Sequence, residues 1–377
     1  MQKNIEKSAM RAPNKKRNLI ATLVLAAIVL LLTWRLDSIP AAERSSTVQM
    51  IIPILQKSLV YALVAVSMNM LNGFTGLFSL GQAGFMLIGA VVYGVLTNDV
   101  AKREMLYMYV EGGVSPLVAK VHVGFFAAII LGGLAAALCA WLIGKPVLKL
   151  KSDYLAIATL GFAEIVRAVV QSKELAPITN GSNMIKNIPS FTTVMFPLIA
   201  VTICIAIIVL LLNSTYGRAF KAIREDEIAA EAMGINLAHH KLLSFVISSF
   251  FAGVSGALYA MFLTMVQAKG FTIAMTYEFL LIVVIGGIGS ITGSIIGSFL
   301  YVASSEWWLR FLDNETYIGT FKVPFLRTGF RMLIFSIIMM VVVLFYRRGI
   351  MGNNEFSWDA IFGLFKRKGK VKADEKH

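Results

Sequence analysis

Several runs of about 18 or more residues carry few or no charges, which is the length an α-helix needs to cross the hydrocarbon core of a bilayer. Hydrocarbon offers the backbone no hydrogen-bond partner, so spanning segments must be helices or a closed barrel. Alternating ten-residue segments, the mark of barrel strands, are absent. The chain is 57% hydrophobic and 15% charged, where soluble domains average about 25% charged. It reads as an all-α polytopic membrane protein of about eight transmembrane helices. Crossings are expected at 19–34, 50–71, 78–97, 121–143, 153–171, 193–212, 242–264 and 328–346. The first follows a basic head and lacks a clear small-residue cleavage site, so it reads as an uncleaved helix.

Lys and Arg accumulate on the cytoplasmic side of membrane proteins. The head, 1–18, holds six of them and the tail from Arg347 onward holds eight. Alternating from an inside N-terminus puts 144–152 and 213–241 inside as well, with three and four. The loops then assigned outside hold eleven, against twenty-one inside. Both termini fall in the cytoplasm only if the apolar segment 278–302 is not a single crossing. A re-entrant hairpin or a pair of short helices meets that condition. Its sequence, GGIGSITGSIIG, spaces Gly289, Gly293 and Gly297 four apart, and Gly286-Gly287 weakens helix continuity. Close helix packing and a broken helix lining a path both fit this pattern. The expected organisation is a basic tail 1–18, a transmembrane domain 19–346 and a basic tail 347–377 suited to anionic lipid.

Little in the chain suits catalysis. There is no GxxxxGK[ST] phosphate loop, nucleophile elbow, paired catalytic carboxylate or HExxH. An enzyme is not expected, nor is a metal or cofactor on this chain. The net charge of +14 sits in tails and loops beside apolar spans, which argues against nucleic acid. Cys139 and Cys204 lie in apolar runs as packing residues. Lys57 is two turns into its span and is expected to snorkel outward. Glu164 and Arg167, three apart, are expected to pair with each other. Arg331 and Glu278 fall near span ends, at the interface.

One stretch breaks the apolar pattern. Residues 213–241, NSTYGRAFKAIREDEIAAEAMGINLAHHK, form a polar insert between long apolar runs. Phe220 and Ile223 share a helix face, and Glu225, Asp226 and Glu227 begin a second helix where negative charge is favoured. Ala229, Ala230 and Met233 are expected to form a small apolar face, with Gly234 at the C-terminal turn. Two short amphipathic helices of this kind suit a groove on a soluble partner. A solvated linker helix is the alternative.

The segment YGRAFKAIREDEIAAEAMGIN resembles the cytoplasmic coupling segment of permease subunits in branched-chain amino acid ABC importers of the LivM type. Three further stretches agree in order: NGFTGLFSLGQAGFMLIGA (72–90), KLKSDYLAIATLGFAEIVR (149–167) and GGIGSITGSIIGSFL (286–300). Where that family carries EAA, three residues and Gly, this chain has Ile228-Ala229-Ala230 before Gly234, with the acid displaced to Glu227. The resemblance implies import of leucine, isoleucine or valine across a bacterial plasma membrane. It implies a second permease subunit, two cytosolic ATPase subunits that bind the ATP, and an extracytoplasmic binding protein docking on loops 98–120 and 172–192. Coupling residues are expected at Gly217, Arg218, Arg224, Glu225, Asp226, Glu227, Ala229, Ala230 and Gly234. The translocation path is expected at Gly81, Gln82, Thr159, Glu164, Arg167, Gly286, Gly287 and Gly289. Related permeases for urea, short amides or sugar share this architecture, and an ion-coupled carrier is a further alternative.

Overall fold

The computed structural model describes residues 15–40, 43–111, 113–150, 152–309, 317–318, 321–322, 330–345, 349–352 and 355. Two compact units result, 1–44 with 355–377 and 45–354. Within the first, α1 (Lys15–Ser38) is apolar between its charged ends and exposes Val24, Leu25, Ile28, Leu31 and Leu32. The basic tails expected at 1–18 and 347–377 lie largely outside the described residues.

The second unit is a helical bundle around α2 (Ser46–Asn69), α3 (Gln82–Thr97) and α12 (Leu237–Leu263), which are buried over most of their length. Between α2 and α12 the chain forms α4 (Val100–Leu106), α5 (Pro116–Ala119), α6 (Phe125–Val147), α7 (Ser152–Gln171), α8 (Ala176–Thr179), α9 (Met195–Asn213), α10 (Thr215–Glu225) and α11 (Glu227–Ala232). After α12 come α13 (Ile273–Gly286), α14 (Ile291–Ala303) and α15 (Phe330–Phe345). A two-residue antiparallel pair, β1 (Tyr317–Ile318) with β2 (Phe321–Lys322), precedes α15. Among the described residues, α2, α6, α7, α9 and α12 are long and apolar enough to cross a membrane, and α3 with α4, bent by 118°, adds a sixth candidate. The outer faces of α6 and α9 expose Leu134, Leu138, Leu142, Ile199, Ile203 and Leu210. In hydrocarbon such a surface carries no solvation penalty.

The core helices meet backbone to backbone. A Cβ at Gly89 of α3 would collide with the Gly253 carbonyl of α12, and one at Gly132 of α6 would lie 2.9 Å from the Gly89 oxygen. With no hydrophobic gain between helices in lipid, small residues that permit this approach supply the packing.

Several element bounds differ from expectation by a few residues, and three of the differences have a visible cause or contact. Helix α3 starts at Gln82 rather than 78, because the Ser79 and Leu80 amides donate to Asn72 Oδ1 (3.1 Å) and Thr159 Oγ1 (3.0 Å), holding 75–81 as a loop. Helix α6 runs on through Lys145, whose ammonium lies 3.7 Å from the Trp141 ring centroid. Helix α12 starts inside the insert, at Leu237, where Asn236 Oδ1 accepts from the His239 amide (3.0 Å).

The glycine-rich segment is a pair of short helices. α13 and α14, of 14 and 13 residues, span about 21 and 20 Å, each less than the roughly 30 Å of the hydrocarbon core. They are antiparallel, with Gly293 against Gly286 and Gly297 against Ile282. Gly289, expected on the same face, instead sits in the turn at φ +90°, beside Gly287 at φ +118°. Both turn conformations favour glycine.

At the end of the bundle far from the insert, Arg103 is 2% exposed. Its guanidinium donates to the carbonyls of Val118, Val95 (2.9 Å) and Asn98 (2.9 Å). Beside it Tyr107 donates to the Ile178 carbonyl (2.7 Å), and burial pushes its hydroxyl up to about 12. Arg103→Ala should leave several buried carbonyls unpaired, each costing about 1–3 kcal/mol. Limited proteolysis of the 98–124 segment should accelerate, and Arg103→Lys should not restore protection, since an ammonium lacks the planar fork.

Candidate functional site

The insert forms a seated platform at one end of the bundle. Phe220 and Ile223 are fully buried on the inner face of α10, and Gly217 lets that helix turn tightly against the Leu212 carbonyl. The Lys221 ammonium lies 5.6 Å from the Phe74 ring centroid, on the π-helical turn (Met70–Phe74) that ends α2. Rings of Tyr216 and Phe220 approach His240 at 6.0 and 6.4 Å, joining α10 to the start of α12.

Asp226 breaks the insert into two helices. Its backbone is extended, and its Oδ1 accepts from the Ile228 (2.8 Å) and Ala229 (3.0 Å) amides, capping α11. Glu227 pairs with Lys241 (2.6 Å), tying α11 to α12. Gly234, at φ +84°, closes the far end, where the Gly234 amide bonds the Glu231 carbonyl (2.9 Å) and the Ile235 amide bonds the Ala230 carbonyl (3.1 Å). This is a Schellman arrangement, which needs the left-handed residue glycine supplies.

The expected face Ala229–Ala230–Met233 divides. Ala230 is buried against the bundle, while Ala229 and Met233 face outward. A helix of six residues has too few turns for side-chain spacing to reveal which side is covered. The outward surface is led by Ile228 and Met233, 82% and 83% exposed, flanked by exposed Arg218, Glu225 and Glu227. Ile228 was not among the expected coupling residues. Arg224 points the other way, with its stem 3.2 Å from where a Cβ on Gly76 would lie and its Nη1 2.8 Å from one on Gly289.

The residues expected along a path fall into three places. Gly81, Gln82 and Thr159 meet: the Thr159 carbonyl lies 3.1 Å from a Cβ on Gly81. Gln82 Nε2 donates to Ser248 Oγ (2.9 Å), which donates to the Ser67 carbonyl (2.7 Å). Glu164 and Arg167 pair with each other on α7 (Nε to Oε2 2.9 Å). Gly286, Gly287 and Gly289 form the hairpin turn. Lys57 does not snorkel outward; it pairs with Glu306, 249 residues away, and lies 5.2 Å from the Tyr61 ring centroid. Glu278 is turned toward the Tyr61 hydroxyl (3.5 Å) rather than the interface, and the Arg331 side chain lies outside the described residues.

At the far end, loops 98–120 and 172–192 come together. The Asn98 side chain donates to the Lys186 carbonyl (2.8 Å), and Ile185 and Val266 exchange backbone bonds (2.9 Å each). Between the loops lies a cleft of about 580 Å³ lined by Lys102, Lys186, Tyr109, Asn180, Asn183 and Met105, among others.

Comparison with known proteins bears on these features. Residues 50–344 match the family described as the branched-chain amino acid transport system permease component. The chain is 32% identical over 283 residues to the high-affinity branched-chain amino acid transport system permease protein LivM of Escherichia coli (strain K12), covering 66% of this chain and 61% of that relative. It is 24% identical over 322 residues to a probable LivM of Methanocaldococcus jannaschii, covering 77% and 90%. It is 27% identical over 272 residues to the LivH permease of Salmonella typhimurium, covering 68% and 83%. The match thus spans about three fifths of the length of the Escherichia coli relative. No solved structure matches the chain.

Proposed function

Because the chain belongs to the branched-chain amino acid transport permease family, we propose that it is the membrane-spanning permease subunit of an ATP-driven importer of leucine, isoleucine and valine. The observation that carries this reading is the insert. An apolar pair, Ile228 and Met233, stands exposed on a helix that is capped at both ends and seated on buried Phe220 and Ile223. Exposed apolar side chains on a rigid, charged platform suit a groove on a soluble partner. The chain has no phosphate loop of its own, so ATP is hydrolysed on separate ATPase subunits that meet this platform. Closure of the ATPases pushes the platform, and the spans attached to it reorient around a central path.

The overall Lys and Arg balance, twenty-one against eleven, supports a cytoplasmic platform with both termini on the same side. Relatives of both LivM and LivH types support pairing with a second, non-identical permease. The far-end cleft with Lys102 and Lys186 is the surface offered to an extracytoplasmic binding protein that delivers the amino acid.

Tagged chain purified from its own cells should bring down an ATPase, and deletion should abolish high-affinity uptake of labelled leucine. Purification that never yields an ATPase would sink the importer reading. A sharper test is Gly234→Val. Nothing lies within 4 Å of a Cβ there, so the substitution acts through backbone strain alone, about 1–3 kcal/mol. Uptake should fall about tenfold or more while the protein still inserts and the ATPase still turns over. Wild-type uptake would contradict the coupling role.

A further inference from the structure

Asn69 stands fully buried at the insert end of α2, and its side chain holds the turn of the α13–α14 hairpin. Its Nδ2 donates to the Ser290 carbonyl (2.8 Å), to Ser294 Oγ (2.8 Å) and, at greater length, to the Gly287 carbonyl (3.3 Å). Its Oδ1 accepts from the Gly289 amide (2.8 Å). One amide thus binds four positions of the turn and of the first turn of α14. Gly73 makes the approach possible, since a Cβ there would overlap Asn69 Oδ1 and lie 2.5 Å from the Gly289 nitrogen.

The insert reaches the same point from the other side. Arg224 lies between Gly76 and Gly289, and Lys221, one helical turn earlier, lies over Phe74. Helix α10 therefore touches both the segment 74–76 that follows α2 and the tip of the hairpin. Phe220 and Ile223 seat α10 firmly, so it moves as one piece. π-helical turns such as Met70–Phe74 are wider than the helix around them and often mark functional sites.

We propose that Asn69 and Arg224 are positioning residues that carry displacement of the insert to the α13–α14 hairpin, Asn69 acting as the latch. The inference rests on the transport reading above and goes beyond it by naming the moving element. A fully satisfied buried amide holds one geometry and makes the turn follow α2 and the insert rather than slide past them. The hairpin, too short in either helix to anchor itself across the bilayer, is the element placed to follow, tethered elsewhere by the Ile350 and Met351 amides on the Ile285 and Gly286 carbonyls.

The test uses the chain assembled with its partner permease and ATPase subunits, in lipid nanodiscs for fluorescence and in sealed proteoliposomes for uptake, with Cys139 and Cys204 replaced by alanine. An environment-sensitive fluorophore is placed on exposed Thr215→Cys in the insert or on Ile288→Cys at the hairpin tip. In protein carrying Asn69 both reporters should respond to ATP. Asn69→Asp keeps the size of the side chain but removes both N–H donors. It should keep the Thr215 response, lose most of the Ile288 response, and separate ATP hydrolysis from leucine uptake. An Ile288 response unchanged in Asn69→Asp and Asn69→Ala overturns the latch. Should those variants fail to assemble, Arg224→Gln takes their place: a several-fold smaller Ile288 response supports the link, and an unchanged one overturns it. If Thr215 itself is silent to ATP in protein carrying Asn69 and Arg224, the transport reading fails, and the latch with it.

Discussion

Valine at Gly89 should leave little folded protein to assay, and alanine at the same position should already lower the melting temperature. A Cβ on Gly89 would collide with the Gly253 carbonyl, carbonyl carbon and Cα on α12. Flexible side chains yield to such a contact, but helix backbone does not. Gly253 is itself confined, with the Gly132 oxygen 2.9 Å and the Ala136 methyl 2.6 Å from its own added Cβ. Separating α3 from α12 would also pull both from α6, so the strain spreads over three helices. Overpacking costs about 1–3 kcal/mol in ordinary cores and occasionally more, and here the displaced atoms lie at the centre of the bundle. Gly161 offers the control, because it lies on α7 with nothing within 4 Å of its added Cβ. Gly161→Ala should be neutral or stabilise by up to about 1 kcal/mol. Equal melting temperatures for Gly89→Ala and Gly161→Ala in detergent would refute the close-packed core.

The second large effect is expected at Phe220. Its ring is fully buried between α10 and the bundle, and truncation of such a residue to alanine costs about 3–5 kcal/mol. The loss falls on the platform, so α10 and α11 should detach while the spans remain inserted. Hydrogen exchange should rise over 215–235 and leave α2 and α12 protected, and leucine uptake should vanish. Ile228→Asp should do the converse. That side chain is almost wholly exposed, so stability should stay within about 0.5 kcal/mol while ATPase co-purification fails. If Phe220→Ala keeps full uptake, or Ile228→Asp keeps its partner, the division between seat and docking face is wrong.

Much of this architecture was legible in the chain. Apolar runs announce spanning helices because lipid leaves the backbone no other choice, and the polar insert stands out against them. Counting Lys and Arg pointed to a break in 278–302, since a single crossing there would put the two basic tails on opposite sides, but it left a re-entrant hairpin and a pair of short helices equally open. What stayed hidden depends on contacts between distant segments. Lys57 finds Glu306 across 249 residues, and no local pattern joins them. Arg103 reads as an ordinary surface cation; only folding brings the Val95, Asn98 and Val118 carbonyls to it. Asn69 looks like a polar blemish in an apolar helix until the hairpin turn is set against it. Among the path residues, the meeting of Gly81, Gln82 and Thr159 required α3 and α7 to pack, whereas the Glu164–Arg167 pair was visible from spacing alone.

The last turn of α13 also has a bearing on how the protein is made. Its Ile285 and Gly286 carbonyls accept from the Ile350 (2.7 Å) and Met351 (3.1 Å) amides, which follow α15. Residues 285 and 350 leave the ribosome some sixty-five positions apart, so these two acceptors wait while α14 and α15 are synthesised. The hairpin is then closed from a distance in sequence, by the short stretch that follows α15. The hairpin tip thus depends on a short stretch made after both α14 and α15, and loss of residues 349–352 would leave two carbonyls of α13 without these partners.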